Sequence, residues 1–247
     1  MAATRPRLLP GLKVSEGFLR HPFDIEHGVR TSGLIAGRHL RTGHPHDRHS
    51  TAYYGVAPSV FQSMIVHWRR SRPHAPIDAF TFVDLGSGMG RAVLLAAEFP
   101  FRAVLGVEIN STLARIARRN LAVWRTAGRA LAPTKILCRD ALAFQFPPDP
   151  CVAFLFNPFG APVLRRLAAS WSRSFAARPG QLDILYVNDE QRAQLDACPG
   201  FTCLFRSPVR RSRADALADH RILLSQPDGE YAFTAFEDCS LYRFTGI

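Results

Sequence analysis

Three glycines spaced two residues apart, Gly86, Gly88 and Gly90, follow a short apolar run in FVDLGSGMGR (residues 82–91). Asp84 stands two residues before the first of them, and a segment of helical hydrophobic period follows the last. Glycine permits a tight turn and lets a ligand approach the backbone where a Cβ would collide. Dinucleotide-binding loops space their glycines as GxGxxG and hold a diphosphate at the helix N-terminus. The GxGxG spacing behind an acid instead favours a cofactor with a cationic amino-acid end.

Two further acids follow later apolar runs. Glu108, in GVEIN (106–110), lies about 20 residues beyond the glycine loop, where a carboxylate can accept both hydroxyls of a ribose. That position serves either a nicotinamide dinucleotide or S-adenosylmethionine. Asp140, in CRDAL (138–142), is placed to meet an adenine amino group.

A fourth motif, FLFNPFG (154–160), decides between these cofactors. It follows the fourth apolar run, at the point where open parallel sheets bind ligands. The side-chain oxygen of Asn157 and the carbonyl of Pro158 can accept hydrogen bonds from an attacking amine, and Phe159 can wall the pocket. A dehydrogenase has no use for such a group, so the motif favours methyl transfer.

The order DLGSGMG, VE, RDA, NPF resembles the class I S-adenosylmethionine-dependent methyltransferases over about residues 80–187. FDIEHGVRTSG (23–33) and YYGVAP (53–58), with PFRAVLGVEI (100–109) and FLFNPFG, are similar to a set of small bacterial members. Those in turn resemble, more distantly, the Rossmann-type, non-SET histone-lysine methyltransferases.

The resemblance implies roles for particular residues. The cofactor, S-adenosylmethionine, would be bound by Asp84, Gly86, Ser87, Gly88, Gly90, Glu108, Ile109, Asp140, Ala141 and Asn157. Asn157, Pro158 and Phe159 would face the acceptor as the catalytic group. The family pattern is NPPY or NPPF, whereas this chain has one proline, which leaves nitrogen and oxygen acceptors both open. Tyr53, Tyr54 or Asp189 could assist the acceptor, and no dedicated base is required.

Alternating apolar runs and helical segments from residue 79 onward predict an α/β fold: a Rossmann-like, seven-stranded, mostly parallel sheet flanked by helices. Strands are expected at 80–85, 103–108, 135–138, 152–156, 183–187 and 201–205, with a closing strand or hairpin within 231–244. Helices are expected at 91–99, 111–127 and 161–177, and residues 207–229 as an irregular insertion. The resemblance implies the strand order 3-2-1-4-5-7-6.

The Rossmann-like domain is assigned to residues 71–247. Residues 1–70 are assigned to a separate N-terminal segment, because their sequence pattern is different. The first 50 residues show little periodicity, whereas apolar residues of 58–70 recur at helical spacing, so the segment is expected to act as a lid or substrate-side element. His39, His44, His46 and His49 match no usual metal-ligand spacing and are expected to be solvated loop residues. No metal site is predicted.

Composition bounds the remaining possibilities. Of 247 residues, 47% are hydrophobic and 21% charged, which is typical of a folded protein. Five cysteines without a CxxC pair favour reduced, mostly buried thiols over a disulfide framework or zinc ribbon. With no apolar run long enough for a membrane span and no apolar signal centre at the start, we expect a cytoplasmic protein. The net charge of +11 can attract nucleic acid, or it can leave a solvated basic surface.

The sequence therefore predicts a methyltransferase acting on a nitrogen or oxygen of an unidentified protein or small-molecule acceptor. An RNA or DNA methyltransferase is the first alternative: the charge favours it, but a separate RNA-binding module is not evident. A nicotinamide-dependent oxidoreductase and a non-catalytic module with the same fold are the others. The pattern carries no information on the oligomeric state.

Overall fold

A seven-stranded sheet forms the centre of the computed structural model, which describes residues 19–225 and 234–246 and the backbone of a two-residue antiparallel pair, 7–8 with 15–16. The strands are β1 (Thr81–Leu85), β2 (Ala103–Glu108), β3 (Thr134–Cys138), β4 (Cys151–Phe156), β5 (Leu182–Val187), β6 (Phe201–Arg210) and β7 (Phe236–Phe244). Their order is 3-2-1-4-5-7-6, and β7 pairs antiparallel with both of its neighbours. The predicted fold class and strand order are confirmed.

Helices cover both faces of this sheet. They are α1 (Pro22–His27), α2 (Pro58–Arg70), α3 (Arg91–Ala97), α4 (Ser111–Thr126), α5 (Ala161–Phe175), α6 (Ala193–Asp196) and α7 (Arg213–Leu224). Helices α2, α3 and α4 pack in one hydrophobic cluster with alternate sheet residues such as Phe82 and Phe154. Helix α5 packs on the opposite face, where Val83 and Ala153 point. Because both faces are covered, all five residues of β1 are buried.

The amphipathic helices follow the predicted hydrophobic pattern. In α2 the buried residues are Val60, Phe61, Met64, Ile65 and Trp68, and in α4 they include Leu113, Ile116, Ala117, Leu121 and Trp124. Helix α2 was assigned by sequence to the N-terminal segment, yet its buried side shares a hydrophobic cluster with the sheet. This helix is therefore packed as part of the central α/β layers.

The stretch 207–229 was wrongly predicted to be irregular. Strand β6 continues to Arg210 instead of ending at 205, and helix α7 follows after the cap Ser212; residues 226–229 lie outside the described part. β6 is an edge strand with most side chains exposed, so it shows no alternating pattern. Helix α7 buries Asp215, Asp219 and Ile222, two of them acids, so its hydrophobic period is absent too. The closing strand begins at Phe236, and residues 231–233 of that prediction are also outside the described part.

The thiols were expected to be mostly buried, and this was wrong. Cys151 and Cys239 are buried, Cys198 is half-buried, and Cys138 and Cys203 are exposed; all five are free. Cys138 and Cys203 lie on exposed positions of β3 and of the edge strand β6. Among the described residues no helix combines the length and the hydropathy that a membrane crossing needs. The cytoplasmic location stays a prediction.

Candidate functional site

A cleft opens at the carboxyl ends of β1, β2, β3 and β4, with about 980 Å³ of free space when its solvent-open part is included. Most of the predicted site residues line it: Asp84, Gly86, Ser87, Gly88, Glu108, Ile109, Asp140, Ala141, Pro158 and Phe159. Gly90 and Asn157 do not. Gly90 is the N-cap of α3 and faces Ala117 of α4 instead. The carboxyl edge of a parallel sheet is the expected place for a ligand in this type of fold.

Two buried acids lie at the centre of the cleft. Asp84 is 4% exposed and Glu108 is 6% exposed. Burial raises the pKa of Asp84 well above its ordinary range, and the nearby Glu108 carboxyl raises it further. Among the described residues, no hydrogen bond offsets this upward shift in the pKa of Asp84. A positively charged ligand in the cleft would lower the pKa of Asp84 again, because it would stabilise the charged form that burial and Glu108 disfavour.

Glu108 differs from Asp84 because backbone groups already hold it. Its Oε2 accepts a hydrogen bond from the N–H of Gly88 at 2.7 Å, and its Oε1 accepts one from the N–H of Asn110 at 2.8 Å. These bonds lower its pKa, although burial dominates and the net direction is upward. A carboxylate offers about four lone-pair sites, so two remain for ligand hydroxyls. Glu108 therefore ties the glycine loop to the end of β2 and can still accept from a ribose.

Protein side chains, as well as a ligand, require glycine in the loop. A Cβ at Gly88, whose φ is +53°, would lie 2.2 Å from Cε2 of Tyr53. A Cβ at Gly86 would lie 2.4 Å from Cβ of Pro158. From sequence, the reason given for these glycines was the close approach of a ligand. In the structure, Gly88 is also required by its contact with Tyr53, and Gly86 by its contact with Pro158. The N-terminal segment and the 157–160 loop thus both contact the glycine loop directly.

Asp140 lies at the edge of the cleft and is engaged on both oxygens. Its Oδ1 accepts from the N–H of Leu142 at 3.0 Å, which caps the short 3-10 turn Ala141–Ala143. Its Oδ2 lies 2.8 Å from Nδ1 of His46. Sequence reasoning placed Asp140 correctly at the end of β3, but it treated His46 as a solvated loop residue.

The 157–160 loop presents only part of the predicted catalytic group to the cleft. Asn157 has a φ of +40°, and its Oδ1 lies 3.4 Å from the Tyr186 hydroxyl. The backbone carbonyl of Asn157 accepts from the Thr51 hydroxyl at 2.5 Å, and that of Pro158 accepts from the Thr51 N–H at 3.4 Å. The atoms predicted to receive an amine are therefore bonded within the protein. Of the predicted catalytic group, Pro158 and Phe159 line the cleft and form part of its wall.

The part of the N-terminal segment that precedes α2, residues 19–57, supplies much of the lining of the cleft. Its residues Leu40, His46, His49, Thr51, Tyr53 and Tyr54 line the cleft. Buried Asp24 anchors the segment: its Oδ2 accepts from the N–H groups of Thr31 and Ser32 at 2.6 and 2.8 Å. Arg91, the first residue of α3, donates from Nε to the Thr31 hydroxyl at 2.7 Å. The motif FDIEHGVRTSG therefore serves to fasten this segment to the helix that begins at the glycine loop.

Neither tyrosine of the cleft is arranged as a base. The Tyr53 hydroxyl donates to the carbonyl of Thr31 at 2.7 Å, and that of Tyr54 donates to Oδ1 of Asp219 at 2.7 Å. Burial is the main reason that the pKa of each phenol is raised. Asp189 is paired with Arg192 at 3.0 Å and does not line the cleft. Of the three residues named from sequence as possible assistants of the acceptor, Tyr53 and Tyr54 therefore donate hydrogen bonds within the protein, and Asp189 lies outside the lining of the cleft.

Comparisons with known proteins agree with this architecture. The family model described as "Histone methylation protein DOT1" matches residues 50–131, less than half of the chain. No curated protein is matched in sequence. Among solved structures, the [4+2]-cyclase SpnF is 15% identical, with 76% of this chain and 82% of that chain covered and a TM-score of 0.54.

Two other solved structures are similar to this chain, and one of them is named as a methyltransferase. Magnesium protoporphyrin IX methyltransferase (ChlM) from Synechocystis PCC 6803, with SAM bound, is 11% identical, covering 75% of this chain and 79% of that one, with a TM-score of 0.48. TrmN from Thermus thermophilus is 18% identical, covering 76% and 49%, with a TM-score of 0.47. At such identities the likeness concerns the fold alone. The chain has the class I methyltransferase fold that its motifs indicated.

Proposed function

We propose that this chain is an S-adenosylmethionine-dependent methyltransferase that transfers a methyl group to a nitrogen or oxygen of a protein or small-molecule acceptor. The observation that carries the proposal is the buried pair Asp84 and Glu108 beneath a glycine loop at the carboxyl edge of the sheet. Two desolvated carboxyls in one cleft are stabilised by a ligand with positive charge. S-adenosylmethionine carries two such charges, on its sulfur and on its amino group.

The residues of the cleft fit the parts of this cofactor. Asp84 would accept from the ammonium group, the two remaining lone-pair sites of Glu108 would accept from the ribose, and Asp140 would accept from the adenine amino group. When bound, the cofactor supplies a methyl group on a positively charged sulfur that is already a good leaving group. The chain's own task is then to hold the acceptor in line and to keep water out.

Water exclusion and orientation fall to the elements that close the cleft. Tyr53 packs on Gly88 and Pro158 packs on Gly86, while Phe159 forms a further part of the wall. The Thr51 hydroxyl and N–H hold the 157–160 loop by its backbone, which fixes the position of this wall. In this arrangement Asn157 acts through the shape of its loop, because its side chain bonds to Tyr186. The chemistry then needs no base among the tyrosines of the cleft.

The same cleft is a poor match for a nicotinamide dinucleotide. Three acids, Asp84, Glu108 and Asp140, line the cleft together with two arginines, Arg91 and Arg139. A diphosphate at the glycine loop would lie beside Asp84 and be repelled by its charge. The guanidinium of Arg91 is turned into the N-terminal segment, where it donates to the carbonyls of Gly55 and Val56 at 3.1 and 3.3 Å. We therefore favour the methyl donor over the dinucleotide.

A labelled-methyl experiment tests the proposed function and its acceptor class together. We expect purified protein incubated with methyl-labelled S-adenosylmethionine and fractionated cell extract to label a protein or small-molecule fraction. The matched control carries Asp84→Asn, which removes the charge and keeps the shape. Label that disappears after nuclease treatment would support the nucleic-acid alternative that the charge of +11 favours. If no fraction gains label while the folded protein binds the cofactor, transferase activity is contradicted.

Binding of the cofactor is expected to strengthen as the pH rises. Burial raises the pKa of Asp84 and of Glu108 in the folded protein, whereas in the unfolded chain these groups titrate at about 3.9 and 4.3. The two carboxyls therefore add to the free energy of unfolding in full below about pH 4, and this stabilisation is lost as the pH rises through their raised folded-state pKa values. A cation requires the ionised forms, so its binding follows the opposite trend and releases protons.

Calorimetry between pH 5 and 8, in buffers with different ionisation heats, measures this linkage. We expect affinity for S-adenosylmethionine to increase with pH and proton release to be largest at the acid end. Affinity that does not change over that range would contradict an ionic role for the two carboxyls.

A further inference from the structure

His46 connects three elements at the end of the cleft where Asp140 lies. Its Nδ1 is 2.8 Å from Oδ2 of Asp140, after β3, and its Nε2 is 3.3 Å from Nη1 of Arg166, on α5. The residue itself belongs to the N-terminal segment, and its ring lines the cleft with 26% of the side chain exposed. A single side chain thus connects the N-terminal segment with the end of β3 and with α5.

The partners of this ring determine which nitrogen carries the proton. Arg166 has only donors to offer, so Nε2 must accept and the proton of a neutral ring resides on Nδ1. The Nδ1–H then donates to Asp140 Oδ2. Since Leu142 donates to Oδ1, the plane of the Asp140 carboxylate is fixed by one donor on each oxygen. Only lone pairs remain on it, so it can receive a donor group from a ligand but offers none.

A metal ion is the competing explanation, because nitrogen or oxygen atoms of His44, His46 and Asp140 all lie within 4.8 Å of one another. The hydrogen bonds oppose it. His44 uses Nδ1 to accept from the N–H of His46 at 3.2 Å, which leaves its proton on Nε2, the nitrogen that faces Asp140 at 4.0 Å. A metal at this point would need lone pairs on both nitrogens that now face the carboxylate. Binding of an ion would therefore require both rings to change tautomer and to give up these hydrogen bonds.

We propose that His46 is a positioning residue for cofactor recognition: it orients Asp140 toward the adenine amino group and ties the 44–49 loop across that end of the cleft. This inference rests on the proposed function, since it assigns Asp140 to adenine. It has two consequences. Loss of His46 weakens binding of the adenosyl ligand, and it reduces the preference for an amino group over a carbonyl at position 6 of the purine.

The test compares S-adenosylhomocysteine with S-inosylhomocysteine, which differ at that position, by calorimetry on the wild type and three variants. We expect the wild type to prefer the adenosyl ligand by at least about tenfold. His46→Ala should bind it about tenfold more weakly and lose most of the preference. His46→Asn places an amide N–H near the site of Nδ1 and should stay within about threefold of the wild type. His44→Ala removes a ring that accepts from the His46 backbone N–H but makes no hydrogen bond to Asp140, and it should stay within about twofold.

Two further measurements keep the test decisive if a variant folds poorly. Thermal unfolding without ligand should be similar for wild type and His46→Asn, and long-range 1H–15N spectra of the wild type should show the His46 proton on Nδ1. A proton on Nε2, or unchanged affinity and preference in His46→Ala, would overturn the inference. So would equal losses in His44→Ala and His46→Ala together with Zn²⁺ binding that a chelator reverses. A folded wild type that binds neither ligand would overturn the proposed function itself.

Discussion

Asp84→Asn is expected to raise the unfolding temperature of the ligand-free protein while it weakens binding of S-adenosylmethionine by about 30-fold or more. The carboxyl is 4% exposed, and burial together with Glu108 disfavours its charge. The amide removes that cost without changing the shape of the side chain. Removal of one member of a buried charge pair costs about 2–5 kcal/mol in binding, which gives the expected loss of affinity. Differential scanning fluorimetry and calorimetry measure the two effects.

Glu108→Gln is the matched comparison for Asp84→Asn: it makes the same acid-to-amide change at the other buried carboxyl, but it should lower the unfolding temperature instead of raising it. The Glu108 oxygens accept from the N–H groups of Gly88 and Asn110, and the NH2 of glutamine would face one of these donors. We expect Glu108→Gln to lower both the unfolding temperature and the affinity. If Asp84→Asn were destabilising, or if it bound the cofactor like the wild type, Asp84 would be a structural residue and not the ligand's partner.

Gly88→Ala is expected to destabilise the fold by about 3 kcal/mol or more and to abolish cofactor binding. A left-handed φ of +53° costs an alanine about 1 kcal/mol. The new Cβ would also lie 2.2 Å from the ring of Tyr53, which is held in place by its hydrogen bond to Thr31. For a chain of this size the loss corresponds to a fall of about 6–12 °C in unfolding temperature.

Gly128→Ala separates the backbone effect from the clash. Gly128 has a similar φ of +68°, but a Cβ there would meet nothing within 4 Å. We expect it to lower the unfolding temperature by only about 2–4 °C. In Gly88→Ala with Tyr53→Ala, the two losses should be clearly less than additive, because the clash is removed. Additive losses, or equal effects of the two glycine substitutions, would contradict the packing of Tyr53 on the loop.

Local patterns were sufficient to predict the frame of the site. The glycine loop follows β1, Glu108 is the last residue of β2 and Asp140 comes just after β3, and parallel strands bring their carboxyl ends to one edge. The predicted stripe of α4 is buried because the helix has a clear hydrophobic period. The buried face of a helix can be predicted from sequence when its apolar residues recur at helical spacing, as they do in α4.

Contacts between distant parts of the chain were not predictable in the same way. Asn157 was expected in the cleft, but its side chain bonds to Tyr186 and its backbone to Thr51, which lies more than 100 residues earlier. Helix α7 was missed because it is held by polar pairs such as Tyr54 with Asp219 and leaves no apolar period. The role of His46 likewise depends on Asp140, 94 residues away. Such pairs are invisible to reasoning from spacing.

The most direct test of the account is isothermal titration of the purified, folded wild type with S-adenosylmethionine, S-adenosylhomocysteine and NAD. We expect one site per chain for each of the first two ligands, no binding of NAD, and a negative heat-capacity change as the cleft buries apolar surface. A folded protein that binds neither sulfur compound, or that binds NAD instead, would show that the acids beneath the glycine loop do not serve an adenosyl sulfonium.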